Sequence, residues 1–458
     1  MEQLMELTDP EYVRKFQRLC GIIMKEKNTG SGSVRQTGNG ALTQKSCCRY
    51  QQREDEHDAT SRSSQKCQNN CEKNNNDVSK FDMGGVQAGY RNGYSSHHQH
   101  DDSTRDLVNG VWNKVLTSAL GSGPPVDDRY VEYEIRYKSL YYLAKMGAFL
   151  GEEQFFLIFF PFVVWNLDSV LGRETIMVWF AVMYLGQASK DFLNVPRPPS
   201  PPVVCLEGKH LDESAMPSTH AMVGTAMPVV LTVLTCTRYQ CSYLLVGSVA
   251  VLWCALVCLS RLYLGVHTIL DVLCGFISSI VICAVMIPCL PNLDYYQQHH
   301  AFAPLVILIA GISLCTICYP TTEKHGAKAK AVEIVSVTTG ICVGLWINYQ
   351  LGFVTEPHEP MPYQITAPTL KWTALTLCRF VCGSAVLGVG YILVKTLSVR
   401  FFSMYFGLDK VDERHPSVRM AHKFVTYFVI GFMTTCGAPM FVFKALGIER
   451  ISAFYECY

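Results

Sequence analysis

Three groups of polar residues interrupt an otherwise apolar chain, and their residue types suit phosphate chemistry. The first group is the segment KDFLNVPRP at 190–198, the second is MPSTH at 216–220, and the third runs from 260 to 271. Arginine presents a planar fork that can hold phosphate oxygens, and lysine adds a compact positive charge. The groups contain the cations Lys190, Arg197 and Arg261. With few acidic residues between them, these cations predict an anion site rather than a network of salt bridges.

The second and third groups also hold the side chains that covalent catalysis requires. His267 and Asp271 are four residues apart, so they face the same way if a helix begins near His267. A carboxylate bonded to one imidazole nitrogen leaves the other nitrogen free to attack. His220 is a second imidazole that could serve as general acid. Ser218 offers a hydroxyl, and the N–H groups around Thr219 lie where a helix is predicted to begin, a position that binds anions.

The polar groups must be positioned by membrane-spanning helices. Hydrophobic residues make up 49% of the 458 residues and charged residues only 17%, whereas an average soluble domain carries about 25% charged residues. A helix needs roughly 20 mostly apolar residues to cross a bilayer. The sequence therefore predicts an all-α, polytopic membrane bundle of about nine spans, at about 154–170, 174–190, 221–237, 243–260, 267–289, 301–319, 332–351, 371–395 and 424–446.

The order of these spans predicts where the polar groups meet. The first group ends the second span, the second group begins the third, and the third group joins the fourth and fifth spans. Alternating helix direction therefore places all three on one membrane face. Singly, each group has an ordinary explanation: a snorkelling cation, a loop before a helix, or a structural hydrogen bond between histidine and aspartate. Their shared location favours function, because ionisable groups near a membrane are functional candidates.

The chain divides into four predicted regions. Residues 1–27 form a possible amphipathic helix, and residues 28–130 are polar and predicted to be largely disordered. A catalytic membrane core is predicted at 131–290, followed by additional transmembrane helices at 291–458. The net charge of +1 gives no reason to expect a nucleic-acid partner.

The three groups together resemble the signature of the type 2 phosphatidic acid phosphatase (PAP2) superfamily. Its pattern is K-x6-R-P, then P-S-G-H, then S-R-x5-H-x3-D, and this chain matches every position except Thr219, which replaces the glycine. The Pro-Ser-Thr-His form, the helices after the third group and the polar N-terminal extension resemble the sphingosine-1-phosphate phosphatase branch. The resemblance covers about residues 105–458.

The resemblance implies a role for each matching residue. His267 would attack phosphorus and form a phosphohistidine, Asp271 would orient it, and His220 would protonate the leaving oxygen and then activate water. The residues implied to hold the phosphate are Lys190, Arg197, Ser218, Thr219 and Arg261. No metal and no cofactor is implied. The implied substrate is a lipid phosphate, and the implied location is the endoplasmic reticulum membrane.

Three other functions and two orientations stay open from the sequence. The chain could hydrolyse a soluble phosphate ester, as in the glucose-6-phosphatase branch, could be a non-enzymatic transporter-like relative, or could be a vanadate-dependent haloperoxidase, which its apolar helices disfavour. Nine spans after a cytosolic tail would place the site in the cytosol, as would the lysine and arginine residues of loops on the same side. The resemblance implies the lumen instead.

Overall fold

The computed structural model describes residues 6–24, 42–46, 131–208, 213–319, 327–353, 361–365, 367–408 and 410–448. Most of these residues are helical. The helices are α1 (Pro10–Leu19), α2 (Lys138–Phe149), α3 (Glu153–Phe162), α4 (Ser169–Leu193), α5 (Thr219–Arg238), α6 (Tyr243–Tyr263), α7 (Ile269–His299), α8 (Ala303–Thr316), α9 (Ala327–Gln350), α10 (Leu370–Tyr405) and α11 (Pro416–Phe432). Single π-helical segments, Val163–Leu167 and Met433–Phe443, continue α3 and α11.

Each of the nine predicted spans coincides with a helix or with part of one. Among the described residues, six helices are long and apolar enough to cross a membrane, namely α5, α6, α7, α9, α10 and α11 with its π-helical continuation. A seventh span results if α2 and α3, which are bent by 63° at residues 150–152, are counted as one broken helix. The predicted all-α, multi-pass membrane fold is confirmed, although six or seven helices meet these criteria where about nine spans were predicted.

Helix α4 is buried along most of its length and carries charges. Its apolar side chains Val178 and Val182 are fully buried in the main core, together with Met222 and Met227 of α5. A helix that is buried all round can carry polar groups only where partners within the protein satisfy them. Near its start, Arg173 donates two hydrogen bonds to Asp294 of α7, of 2.7 and 2.8 Å.

The helices run between two ends of the bundle, which we call the site end and the far end. At the far end, Asp168 caps the start of α4 and accepts hydrogen bonds from Arg238 and from the hydroxyl of Tyr239, of 2.8 and 2.6 Å. The end of α5 therefore meets the start of α4. At the site end, α4 and α6 finish where α5 and α7 begin. The alternation that the sequence predicted is thus found in the fold.

The N-terminal residues form a small structure of their own at the site end. Strands β1 (Ile22–Met24) and β2 (Leu42–Ser46) both pair antiparallel with β3 (Val131–Ile135), in the order β1-β3-β2. The predicted helix over 1–27 is shorter than expected, because α1 ends before Gly21, whose φ of +82° is left-handed. Apart from β2, residues 28–130 lie outside the described residues.

Two further strands lie at the far end of the bundle. They are β4 (Tyr239–Gln240) and β5 (Tyr363–Gln364), which pair in parallel. The loop that contains β5 is thereby held against the end of α5.

Candidate active site

One cavity at the site end collects six of the eight residues that the sequence singled out. These six are Lys190, Arg197, Thr219, His220, Arg261 and His267. The other two lie directly behind the cavity wall: Ser218 is 0% exposed and Asp271 is 1% exposed. The N–H of Ser218 donates a 3.1 Å hydrogen bond to the carbonyl oxygen of Asp271, which ties the second polar group to the third.

The start of α5 lies at this cavity, where Thr219 and His220 line it. Ser218 is the N-cap, and its Oγ accepts a 3.4 Å hydrogen bond from the N–H of Ala221. Thr219, which stands where the superfamily pattern has glycine, is accommodated by a glycine on the neighbouring helix. A Cβ at Gly186 would lie only 3.0 Å from Cγ2 of Thr219. The threonine side chain therefore packs against α4 rather than blocking the turn.

The pairing of His267 with Asp271 differs from the sequence expectation. Because α7 begins at Ile269, His267 lies in the loop before the helix, and its Nδ1 is 3.8 Å from Oδ2 of Asp271. That distance exceeds a hydrogen bond. The Asp271 carboxylate instead accepts a 2.7 Å bond from the N–H of Thr268, whose hydroxyl in turn caps α7. The predicted hydrogen bond is thus absent from this geometry, and orientation of His267 by Asp271 stays a prediction.

His267 is held as a neutral imidazole. Its side chain is 1% exposed, and its Nδ1 has no hydrogen-bond partner. Burial lowers the pKa of His267 well below its ordinary value, and the positive charges of Arg197, Arg261 and Lys190 lower it further. A neutral imidazole has the free lone pair that a nucleophile needs. The surrounding cations therefore favour the reactive form of this residue.

Lys190, Lys330 and Arg261 are paired with carboxylates, so the cavity contains the salt bridges that the sequence disfavoured, and the anion site stays a prediction. Glu213 accepts from Nζ of Lys190 at 3.0 Å and lies 2.7 Å from Nζ of Lys330. Glu207 accepts a 3.1 Å bond from Arg261. The sequence did not reveal these ion pairs. Lys330 lies in α9, far along the chain, and the partners of acidic residues in a loop cannot be read from the sequence. An incoming anion must compete with these carboxylates.

Arg197 is positioned by backbone rather than by carboxylates. It donates to the carbonyl oxygens of Glu213 and Val266, each at 3.0 Å. These bonds hold its guanidinium between the loop after α4 and the loop before α7. An arginine fixed in this way is pre-organised for a phosphate oxygen.

The cavity also holds residues that the sequence did not single out. They are Gly151, Glu152, Glu153, Gln154, Met183, Gln187, Glu213 and Lys330. Glu152 and Glu153 lie where α2 breaks from α3, and Oε1 of Glu152 is 3.8 Å from Nε2 of His220. The only sequence signal for them was a pair of acids immediately before the first predicted span. Within the described ranges, no group of three or more His, Cys, Asp or Glu side chains is placed to hold a metal ion.

A glutamine from the N-terminal helix α1 joins the two loops that carry the site. Gln17 is 1% exposed, and its Nε2 donates to the carbonyl oxygens of Val204 and Tyr263, at 2.8 and 3.0 Å. Its Oε1 accepts from the N–H of Val204 at 2.9 Å. Gly265, at φ +68°, makes this close approach possible, because a Cβ there would lie 2.3 Å from the Val204 carbonyl oxygen. Gln17 therefore links the loop of Arg197 to the loop of His267.

We expect Gln17→Leu to lower the rate of phosphate release by about tenfold to a hundredfold, because small displacements of catalytic groups have effects of that size. The change keeps the volume and leaves buried backbone groups without partners, which costs about 1–3 kcal/mol for each group. The same change at the exposed Gln364, at the far end, is the control. Phosphatase assays on equal amounts of folded protein measure the effect. An unchanged rate would show that the link is dispensable.

Comparison with known proteins agrees with this geometry. A family model described as the PAP2 superfamily matches residues 174–295, which contain all three polar groups. Sphingosine-1-phosphate phosphatase 1 of Rattus norvegicus is 31% identical over 451 residues, or 97% of each chain. Sphingosine-1-phosphate phosphatase 2 of Homo sapiens is 35% identical over 339 residues, covering 73% of this chain and 85% of its own. No solved structure matches the chain significantly.

The fold and the site define a multi-pass membrane protein of the PAP2 superfamily, with its polar signature at one end of a helical bundle. The full-length similarity narrows this class. The chain belongs to the sphingosine-1-phosphate phosphatase family.

Proposed function

We propose that this protein hydrolyses the phosphomonoester of sphingosine 1-phosphate and of related long-chain base phosphates through a phosphohistidine on His267. The observation that carries the proposal is a buried imidazole that shares a cavity with three cations and with a second histidine. The names of the similar proteins support the choice of substrate.

Binding of the substrate phosphate begins with the exchange of partners. The phosphate oxygens replace carboxylates and backbone carbonyls as partners of Lys190, Arg197 and Arg261. The N–H groups at the start of α5, at Thr219 beside Ser218, add hydrogen bonds and the positive end of a helix dipole. Donors fixed in advance stabilise the charge that develops on the phosphoryl oxygens in the transition state.

Chemistry then proceeds in two steps. In the first, the free nitrogen of His267 forms a bond to phosphorus while the bond from phosphorus to the lipid oxygen breaks, and His220 gives that oxygen a proton. In the second, His220 takes a proton from water, the water oxygen bonds to phosphorus, and the bond to His267 breaks. Asp271, whose Oδ2 lies 3.8 Å from Nδ1 of His267, stabilises the ring in the orientation required.

We further propose that the protein resides in the endoplasmic reticulum membrane, with the site end in the lumen. The membrane body supports a substrate that arrives from the bilayer. Helix α6, which carries Arg261, exposes many large apolar side chains on its outer surface, among them Leu244, Val251 and Leu252. Such a surface is suited to contact with lipid.

The test is a comparison of two substrates with purified protein in detergent micelles. Phosphate release from sphingosine 1-phosphate is measured against release from glucose 6-phosphate, at equal concentration. We expect hydrolysis of the lipid and little hydrolysis of the sugar phosphate. The reverse preference would favour the soluble-ester function, and no hydrolysis of either would favour a non-enzymatic role.

A further inference from the structure

Two carboxylates stand inside a cavity that otherwise suits an anion. Glu152 and Glu153 line it at the break between α2 and α3, and Glu152 is only 9% exposed. Oε1 of Glu152 is 3.8 Å from Nε2 of His220, and Oε1 of Glu153 is 3.9 Å from Nζ of Lys330. Glu152 therefore lies beside the acid proposed for the leaving oxygen.

A buried polar atom in the same cavity points to a ligand there. His220 lines the cavity, and its Nε2 has no hydrogen-bond partner. Buried polar atoms in native proteins are nearly always partnered, so an orphan at a cavity wall indicates a site that a ligand completes. Any ligand that reaches this nitrogen also lies beside the Glu152 carboxylate.

For a plain phosphomonoester these carboxylates are unfavourable. Like charges repel more strongly as the surrounding dielectric falls, and this cavity is largely buried. An ammonium group on the substrate would reverse the sign of the interaction and form a charge-assisted hydrogen bond with Glu152. The carboxylates therefore select for a substrate that carries a positive charge close to its phosphate ester.

The position of Glu152 fits an ammonium on the leaving side of the ester. In a 2-amino-alcohol phosphate, three bonds separate the nitrogen from the ester oxygen that must be protonated. His220 is the proposed donor to that oxygen, and the Glu152 carboxylate lies next to the same imidazole. A substrate whose ester oxygen contacts His220 can therefore place its ammonium group within reach of Glu152.

We propose that Glu152, with Glu153 beside it, forms a subsite for the ammonium group of a long-chain base phosphate. This inference rests on the proposed function and adds to it the residues that distinguish amino-alcohol phosphates from lipid phosphates without an amine. The break between α2 and α3 is the structural device that brings both carboxylates to the cavity.

The experiment compares kcat/KM for sphinganine 1-phosphate, its N-acetyl derivative and octadecyl phosphate. We expect the wild-type protein to prefer the free amine by about tenfold or more, as sites that bind a polar group reject analogues without it. Glu152→Gln should reduce that preference by a similar factor. Glu413→Gln is the matched control, since Glu413 pairs with Lys395 outside the cavity with its side chain 48% exposed. Its preference should be unchanged.

The outcomes separate the subsite from its alternatives. Equal losses on all three substrates in Glu152→Gln would mean that Glu152 acts only by positioning His220, and would overturn the subsite. A wild-type protein that hydrolyses all three equally would overturn it too, and would leave the phosphatase activity standing. Hydrolysis of none would overturn both proposals. If Glu152→Gln does not fold, the wild-type comparison of the free amine with the N-acetyl derivative decides alone.

Discussion

Replacing His267 by alanine is expected to abolish phosphate release, with a loss on the order of 10⁴-fold or more. Without the imidazole no covalent intermediate forms, and the cations alone cannot supply a nucleophile. Rapid quenching with ³²P-labelled substrate should show an acid-labile, base-stable phosphoprotein in the wild type and none in the variant. The buried position of His267 makes a folding defect the main competing explanation.

A second buried histidine provides the control for that defect. His422 in α11 is 2% exposed, and both of its ring nitrogens lack hydrogen-bond partners. His422→Ala removes the same group from a similar environment away from the cavity. After correction for the amount of folded protein, we expect the activity of His422→Ala to stay within a few-fold of the wild-type activity. Near-full activity in His267→Ala would disprove the phosphohistidine mechanism.

The variant His220→Asn should lower the rate on a lipid phosphate by about 10²–10⁴-fold, the usual contribution of general acid–base catalysis. The loss should depend on the leaving group, because an alkoxide needs a proton and a nitrophenolate does not. With 4-nitrophenyl phosphate, the variant should release one nitrophenolate per protein in a rapid burst and then stall. The stall would follow from the second step, in which His220 activates water.

Stopped-flow absorbance at the nitrophenolate band measures this burst directly. The wild type serves as its control, since it should show continued turnover in place of a stall. Equal losses on both substrates, without a burst, would assign His220 to binding rather than to proton transfer.

Much of the fold was predictable because apolar segments determine where helices can cross a bilayer. All nine predicted spans fall on helices, and their alternation correctly placed the three polar groups at one end. The 63° angle between α2 and α3 was not predictable, although Gly151 and the acids Glu152 and Glu153 at the break are visible in the sequence. The sheet of β1, β2 and β3 joins segments more than 80 residues apart, and local sequence contains no information about such pairing.

The site was predictable in its members and less so in its contacts. Motif spacing predicted that Lys190, His220 and His267 belong to one site, and the fold brings them to one cavity. The expected bond between His267 and Asp271 is not formed, because α7 begins at Ile269 and His267 lies in the preceding loop, with its Nδ1 3.8 Å from Oδ2 of Asp271. A possible capping residue next to His267 is visible in the sequence. Whether His267 reaches Asp271 depends on the residue at which the helix begins, which spacing does not determine.

The N-terminal helix α1 has a consequence for where the products go. Gln17 fixes α1 to the site end, while the π-helical continuation of α11 returns to the far end, where Phe443 packs on Trp165. An epitope fused beside α1 should therefore share a compartment with the released inorganic phosphate, and one fused beyond α11 should face the opposite compartment. Protease protection of the two epitopes in sealed vesicles would thus identify the compartment that gains phosphate, whereas the apolar product stays in the bilayer and belongs to neither.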